Sequence, residues 1–272
     1  MLQTMSYPGG KSGAGVFQTL INLMPPHHVY IEPFLGGAAV MRLKRPAAVN
    51  VGIDLDRAAL EAAMLPAKSL FRTVEACPAE NTDPRGRRSP FTVVGPELLV
   101  WPLPAPMTDD DGRSTPVFQL RQGDGTEFLR NHRLPPSALV YADPPYLRST
   151  RASAKKLYQF EMTDEQHAEL LAVLKALKCR VMISGYSCTL YARELKEWNA
   201  CAFQASTRGK PAAEWVWYNY PRPVELHDYR YLGRDFRERE QIKRMKQRWL
   251  AKLERMPALK RQALLAAIAA TG

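Results

Sequence analysis

The chain has 272 residues, 46% of them apolar, enough for one large α/β domain with an insert or for two domains. Its 38 Lys and Arg outweigh 27 Asp and Glu by 11, and residues 222–272 alone hold 13 basic against 6 acidic side chains, an excess that suits a polyanionic partner, nucleic acid first. No window approaches the roughly 18 apolar residues of a membrane span, the opening Met1-Leu2-Gln3-Thr4-Met5 lacks a secretory pattern, and the four cysteines form no C-x-x-C pair. Membrane proteins, metal sites and disulfide frameworks are thereby set aside, and a reduced, cytoplasmic setting is expected.

Residues 7–15 read Tyr-Pro-Gly-Gly-Lys-Ser-Gly-Ala-Gly. Gly10-Lys11-Ser12 suggests a phosphate loop, but a Walker A requires glycine at position 5, where Met5 stands. What remains is an amide-rich loop with one cation, Lys11, and one aromatic, Tyr7, fit to hold a carboxylate and to pack on an adenosyl ring. A short helix is expected over 16–24, then a strand at Val29-Tyr30-Ile31. Glu32-Pro33-Phe34-Leu35-Gly36-Gly37 follows, small residues that let a ligand approach the backbone and let the next helix, running to about Lys44, start close by. A second strand, Val49 to Ile53, ends in Asp54, 22 positions after Glu32. Strand, glycine turn, helix, strand and acid is the order in which nucleotide ribose hydroxyls are bound.

The stretch 64–117 is Pro-rich, basic at Arg85-Gly86-Arg87-Arg88, and without periodic helices. Gln122-Gly123-Asp124-Gly125 follows, shortly before Ala138-Leu139-Val140-Tyr141-Ala142, which reads as a buried parallel strand ending abruptly in Asp143-Pro144-Pro145-Tyr146. The two prolines stop the ladder and hold Asp143 and Pro144 extended. Carbonyls and a carboxylate then point beyond the strand's carboxyl end, where open α/β sheets bind ligands. A planar ligand with an amino group suits that end: its hydrogens meet the Asp143 carboxylate and the Pro144 carbonyl, and its ring stacks on Tyr146. A helix from Thr163 or Asp164 buries Leu170, Leu171, Leu174 and Leu177. Core strands are expected at Arg180–Tyr186 and Glu214–Tyr220. A charged helix from about Asp235 to Arg255 carries Ile242, Met245, Trp249 and Leu253 on one face, and Pro257 separates it from a second helix, 258–270.

Asp143–Tyr146 resembles the DPPY motif of amino-methyltransferases acting on nucleic acid bases. With Tyr7–Gly15, Glu32–Ala38 and Asp54 in that order, the chain resembles the Dam-like family of DNA adenine methyltransferases over residues 7–63 and about 118–221. Two departures stand out: Gly36-Gly37-Ala38 where Gly-Ser-Gly is common, and Ile53 where Asn usually precedes the acid. The resemblance implies an α/β, Rossmann-like methyltransferase sheet with helices on both faces. Residues 1–63 and 118–221 would form the catalytic domain, 64–117 a reduced target-recognition insert, and 222–272 a basic helical tail.

The resemblance also implies S-adenosylmethionine as methyl donor, held by Tyr7, Lys11, Glu32, Phe34, Gly36, Asp54 and, more weakly, Asp124. Asp143, Pro144 and Tyr146 would serve catalysis on a flipped-out adenine of double-stranded DNA, with no metal and no membrane, by a monomer or weak dimer. RNA adenine, the amino group of cytosine, or a silent DNA-binding protein on the same fold are the alternatives.

Overall fold

The computed structural model describes residues 10–64, 91–93, 107–108, 114–151, 158–207 and 210–271. Tyr7 and most of the 64–117 insert therefore lie outside the described residues.

The strands are β1 (Val29–Glu32), β2 (Val49–Asp54), β3 (Phe91–Val93), β4 (Met107–Thr108), β5 (Ser114–Thr115), β6 (Val117–Gln122), β7 (Ala138–Ala142), β8 (Arg180–Gly185), β9 (Asn199–Thr207) and β10 (Lys210–Tyr218). The helices are α1 (Val16–Ile21), α2 (Ala39–Leu43), α3 (Arg57–Met64), α4 (Gly125–Asn131), α5 (Asp164–Ala176), α6 (Thr189–Glu194), α7 (Phe236–Glu254) and α8 (Ala258–Ala269). Eight strands form one sheet in the order β3-β6-β2-β1-β7-β8-β10-β9, and β4 pairs with β5 separately. From β3 to β8 every pairing is parallel, and β10 is antiparallel to both β8 and β9. This is the Rossmann-like α/β arrangement expected from the sequence.

Strand order reverses between β1 and β7. The chain leaves β1 outward through β2 and returns to lay β7 on its other side, with Val29 opposite Val49 on one edge and Ala138 on the other. At such a switch point the connections leave in opposite directions and open a crevice at the strands' carboxyl ends. Glu32, Asp54 and Asp143 close or directly follow β1, β2 and β7, so topology gathers three acids that sequence scatters over 112 positions.

All five residues of β7 are buried, as a strand covered on both faces requires. Val140 and Ala142 join a cluster with Val29, Ile31, Leu170, Leu171, Leu174 and Val181, whereas Leu139 and Tyr141 alternate to the opposite face. Helix α5 meets the cluster through His167, Leu170, Leu171 and Leu174, the i, i+3, i+4, i+7 stripe of an amphipathic helix. It starts at a capping box in which the Thr163 hydroxyl accepts from the Gln166 N–H and the Gln166 side chain accepts from the Thr163 N–H.

Five strands go beyond the sequence reading. β3, β4 and β5 place short regular segments in the insert, and β6 follows it ahead of β7. Edge strand β9 was also unanticipated. Its Ala- and Cys-containing sequence, Asn-Ala-Cys-Ala-Phe-Gln-Ala-Ser-Thr, offers little β-branched or aromatic signal.

The chain divides into two compact units at Asp228/Tyr229. Residues just before the division are tied to the sheet unit: Asp228 Oδ2 accepts from the Arg45 N–H at 2.7 Å, and the His227 N–H donates to the Met24 carbonyl at 2.9 Å. The second unit contains α7, capped by Asp235 through the Glu238 N–H at 2.9 Å, and α8. No helix among the described residues is long and apolar enough to cross a membrane.

Candidate active site

A cavity of about 440 Å³ opens at the switch point, and a single wall joins the glycine turn to the end of β7. It is lined by Lys11, Glu32, Phe34, Gly36, Asp54, Asp124, Asp143 and Pro144, among others. Of the residues expected to serve cofactor or chemistry, these eight meet here. Tyr146 does not line the cavity, and Tyr7 lies outside the described residues.

The turn after β1 is built by backbone geometry. Gly36 has φ +48°, the left-handed region that glycine enters freely. Ala38 also adopts that region at φ +52°, where the resemblance leads one to expect glycine, so this chain carries local strain at the turn beside the cavity. Asp54 fixes the turn: its Oδ2 accepts from the Gly36 N–H at 2.7 Å, and its Oδ1 from the Asp56 N–H at 2.8 Å. Burial raises the Asp54 pKa against the pull of these bonds.

Asp124 is the N-cap of α4. Its Oδ1 accepts from the Thr126 N–H at 2.7 Å and the Glu127 N–H at 3.0 Å. Behind it, Gly125 allows the start of α4 to lie directly on the Pro33 backbone. A Cβ there would fall inside the Pro33 carbonyl.

Glu32 is 3% exposed and accepts a 2.7 Å hydrogen bond from the Tyr30 hydroxyl. Burial pushes its carboxyl pKa up to about 8, although the Tyr30 bond and Lys44 pull the other way. Burial thus favours the neutral form of the Glu32 carboxyl.

Lys11 is the hub at the end of β7. Its side chain is 4% exposed; Nζ lies 2.9 Å from Asp143 Oδ2 and 3.4 Å from Glu214 Oε2. Burial alone would lower its pKa, but the two carboxylates outweigh that penalty and hold the ammonium above its ordinary value. The Asp143 pKa is raised, first by burial and next by the like charge of Glu214, while Lys11 works in the opposite direction. Asp143 Oδ1 is covered and has no hydrogen-bond partner among the described residues. A buried carboxylate oxygen left without a donor is costly, and here it belongs to the acid that ends the cavity's central strand.

Glu214 is the functional residue that sequence reasoning missed as an individual. It is 2% exposed in β10 and accepts the Tyr146 hydroxyl at 2.7 Å. The available signal was an acid inside the otherwise uncharged Glu-Trp-Val-Trp-Tyr strand, a placement that demands a partner. Tyr146, 5% exposed, stands behind this network rather than on the cavity wall, with Lys11 Nζ 4.9 Å from its ring centroid and the Tyr186 ring edge-on at 4.8 Å. Tyr158 and Phe160, the latter 43% exposed, are among the aromatic residues that do line the cavity.

The prolines are held from outside the sheet. His167 Nε2 lies 3.0 Å from the Pro145 carbonyl and Nδ1 3.1 Å from the Tyr191 hydroxyl. A carbonyl only accepts, so Nε2 carries the proton and Nδ1 accepts from Tyr191. Burial lowers the His167 pKa to about 4, which keeps the ring neutral in that tautomer. Arg151 donates to the Tyr146 carbonyl and pairs with Glu161, so both flanks of the motif are pinned by α5 and the loop before it.

Residues 119–203 match the model of the D12 class N6 adenine-specific DNA methyltransferase family. No curated protein matches the chain in sequence. Among solved structures, the chain is similar to a precorrin 8W decarboxylase from Methanobacterium thermoautotrophicum, at 11% identity and TM-score 0.42 over 78% of this chain and 93% of that one. It is also similar to an rRNA methylase from Streptococcus thermophilus, at 9%, 0.41, 75% and 93%. A third is the magnesium protoporphyrin IX methyltransferase from Synechocystis PCC 6803 with bound SAM, at 10%, 0.39, 76% and 76%. The matched segment runs from β6 through the Asp143 motif to β9, under a third of the chain, and over that segment the chain is similar to the D12 class N6 adenine-specific DNA methyltransferases.

Proposed function

We propose that this protein methylates the exocyclic N6 amine of adenine in DNA, with S-adenosylmethionine as donor. The observation that carries the reading is Asp143. One of its carboxylate oxygens is held by Lys11 and the other is buried with no donor among the described residues, at the end of a cavity whose far wall is a glycine turn with three further acids.

The lining fits such a cofactor. Glu32 would neutralise the amine of its methionine moiety, the backbone around Gly36 and Gly37 would admit its chain closely, Asp54 would accept from ribose hydroxyls, and Asp124 would face its adenine. When bound, the cofactor supplies an electrophilic methyl on a sulfonium.

The rest falls to the protein. An adenine amine is a poor nucleophile because its lone pair is spread into the purine ring. The Asp143 carboxylate and the Pro144 carbonyl, fixed by two consecutive prolines, accept hydrogen bonds from its two N–H groups and favour a pyramidal nitrogen with a localised pair. The same acceptors stabilise the positive charge that grows on nitrogen, preorganised because Lys11 holds the Asp143 carboxylate and His167 the neighbouring Pro145 carbonyl. Glu214 and Tyr146 keep Lys11 in place, and Tyr158 and Phe160 offer stacking faces to a base swung out of the duplex.

The test is methyl transfer from labelled cofactor to unmodified DNA, followed by nucleoside analysis. N6-methyladenine is the expected product. Label found only in cytosine or only in an RNA substrate would reject the reading, and so would tight cofactor binding with no transfer to any nucleic acid.

A further inference from the structure

The second unit, residues 229–272, holds twelve Lys and Arg against four Asp and Glu, a net of +8. The charge is not spread evenly around α7. At 3.6 residues per turn, Arg237, Arg244, Arg248, Lys252 and the C-cap Arg255 fall within about 80° of arc along some 27 Å of helix. All five are exposed, and none makes an ion pair among the described residues. Of the helix's three acids, Glu238 is engaged by Arg234 at 2.9 Å, Glu240 borders the row and lies 3.7 Å from Lys243, and Glu254 falls outside the arc. Beside the cationic row runs the apolar line of Ile242, Met245, Trp249 and Leu253, with Trp249 55% exposed and Lys252 Nζ 5.2 Å from its ring centroid.

Five neighbouring cations without acids between them repel one another and oppose a compact arrangement. The row gains most against a linear polyanion of matching length. Twenty-seven ångströms of duplex carries about 16 phosphate charges. Four of the five side chains are arginines, whose planar fork pairs with phosphate oxygens bidentately.

We propose that α7 is a phosphate-backbone docking surface for double-stranded DNA, separate from the cavity that acts on the base. The proposal rests on DNA being the substrate, and it adds that binding strength comes in good part from a helix that takes no part in the chemistry.

The experiment measures binding of the full chain to a labelled 20-base-pair duplex by fluorescence anisotropy across a potassium chloride series. The comparison is between the parent protein and the triple variant Arg244→Gln, Arg248→Gln, Lys252→Gln. Gln keeps helix propensity, so circular dichroism should be unchanged. A second triple variant on the other unit, Lys175→Gln, Lys178→Gln, Lys196→Gln, controls for bulk charge. Each lost phosphate contact removes about 0.9 from the slope of log K against log salt, so the α7 variant should bind with a slope shallower by about 2.7. The control should keep the parent slope, and cofactor affinity should be the same in all three.

An unchanged slope in the α7 variant overturns the proposal. So does an unchanged slope together with a lost concentration-dependent dimer, or with lost binding to anionic vesicles, since either would assign the row to another partner. If the parent shows the α7-dependent slope yet never methylates DNA, docking stands and the proposed activity falls. If it methylates and the slopes agree, the reverse holds.

Discussion

Asp143→Asn separates the proposed chemistry from the fold. Lys11 Nζ sits 2.9 Å from Asp143 Oδ2, and an ammonium needs an acceptor there. The Asn oxygen therefore stays with Lys11, and its NH₂ takes the place of the unpartnered Oδ1. A base amine entering the cavity then meets a donor where it needs an acceptor. The stability cost is limited, because Lys11 keeps Glu214 at 3.4 Å. One charge-assisted bond is weakened, worth about 1.5–3 kcal/mol. That loss is offset in part because Asp143 no longer has to hold a charge that burial and Glu214 both disfavour. The rate cost is larger. Losing one preorganised electrostatic group in a site of this kind typically costs about 10²–10³ in kcat, and reversed polarity puts the expectation at the upper end. Single-turnover methyl transfer, cofactor titration and thermal melting measure the three quantities. Transfer should fall about a thousandfold, cofactor Kd should stay within about threefold, and the melt should remain cooperative. A well-folded Asp143→Asn protein that methylates within tenfold of the parent would refute the assignment of that oxygen.

Three further outcomes follow from the same geometry. Gly125→Ala places a Cβ inside the Pro33 carbonyl, a backbone atom that cannot swing aside; it should cost about 1–3 kcal/mol in denaturant unfolding and weaken cofactor binding at least tenfold, and an unperturbed variant would show that α4 does not rest on the glycine turn. Glu32, with its carboxyl pKa raised to about 8, must lose a proton to pair with a cationic amine. Cofactor affinity should therefore climb between pH 6 and 8, and calorimetry in buffers of different ionisation enthalpy should register up to one proton released per site; Glu32→Gln should abolish both effects, and proton-neutral binding by the parent would contradict the pairing. Glu214→Gln removes a like charge that raises the Asp143 pKa, so Asp143 should stay ionised to lower pH and the acid limb of the kcat/KM profile should move down; movement upward would mean that Glu214 acts on the site chiefly by holding Lys11 in place.

Much of the sheet was legible because its central strands announce themselves. Val-Tyr-Ile, Val-Asn-Val-Gly-Ile and Ala-Leu-Val-Tyr-Ala are short apolar runs cut by acid, glycine or proline, and they became β1, β2 and β7 in adjacent positions. Both tail helices came within a residue or so of their expected bounds, because Asp235 caps one start and Pro257 separates the two. What escaped notice lay outside that central trio. In β6 the alternation Val-Phe-Gln-Leu-Arg-Gln is short and half polar, although β2 and β3 flank it on both sides. For β9 the sequence signal is weaker still, and its place is set by nine residues of pairing to β10, a tertiary cause that local pattern does not encode.

The site divides along the same line. Asp143 and Pro144 were readable because proline fixes their backbone from two neighbouring letters, and Asp54 because its spacing from Glu32 is set by one βαβ unit. Tyr146 was read as a stacking face because it offers a flat ring just beyond the strand's end. The reason lies 68 positions on: Glu214, in an antiparallel strand, accepts its hydroxyl and turns the ring into a support behind Lys11. The same strand explains why Lys11 stands at Asp143. One buried carboxylate balances one ammonium, but the pair then has no excess negative charge to offer. With Glu214 added, the trio carries two acids for one base, and Asp143 retains an oxygen that Lys11 does not use. A motif of four letters can name the acid, but its unspent acceptor is a property of three residues from three distant parts of the chain.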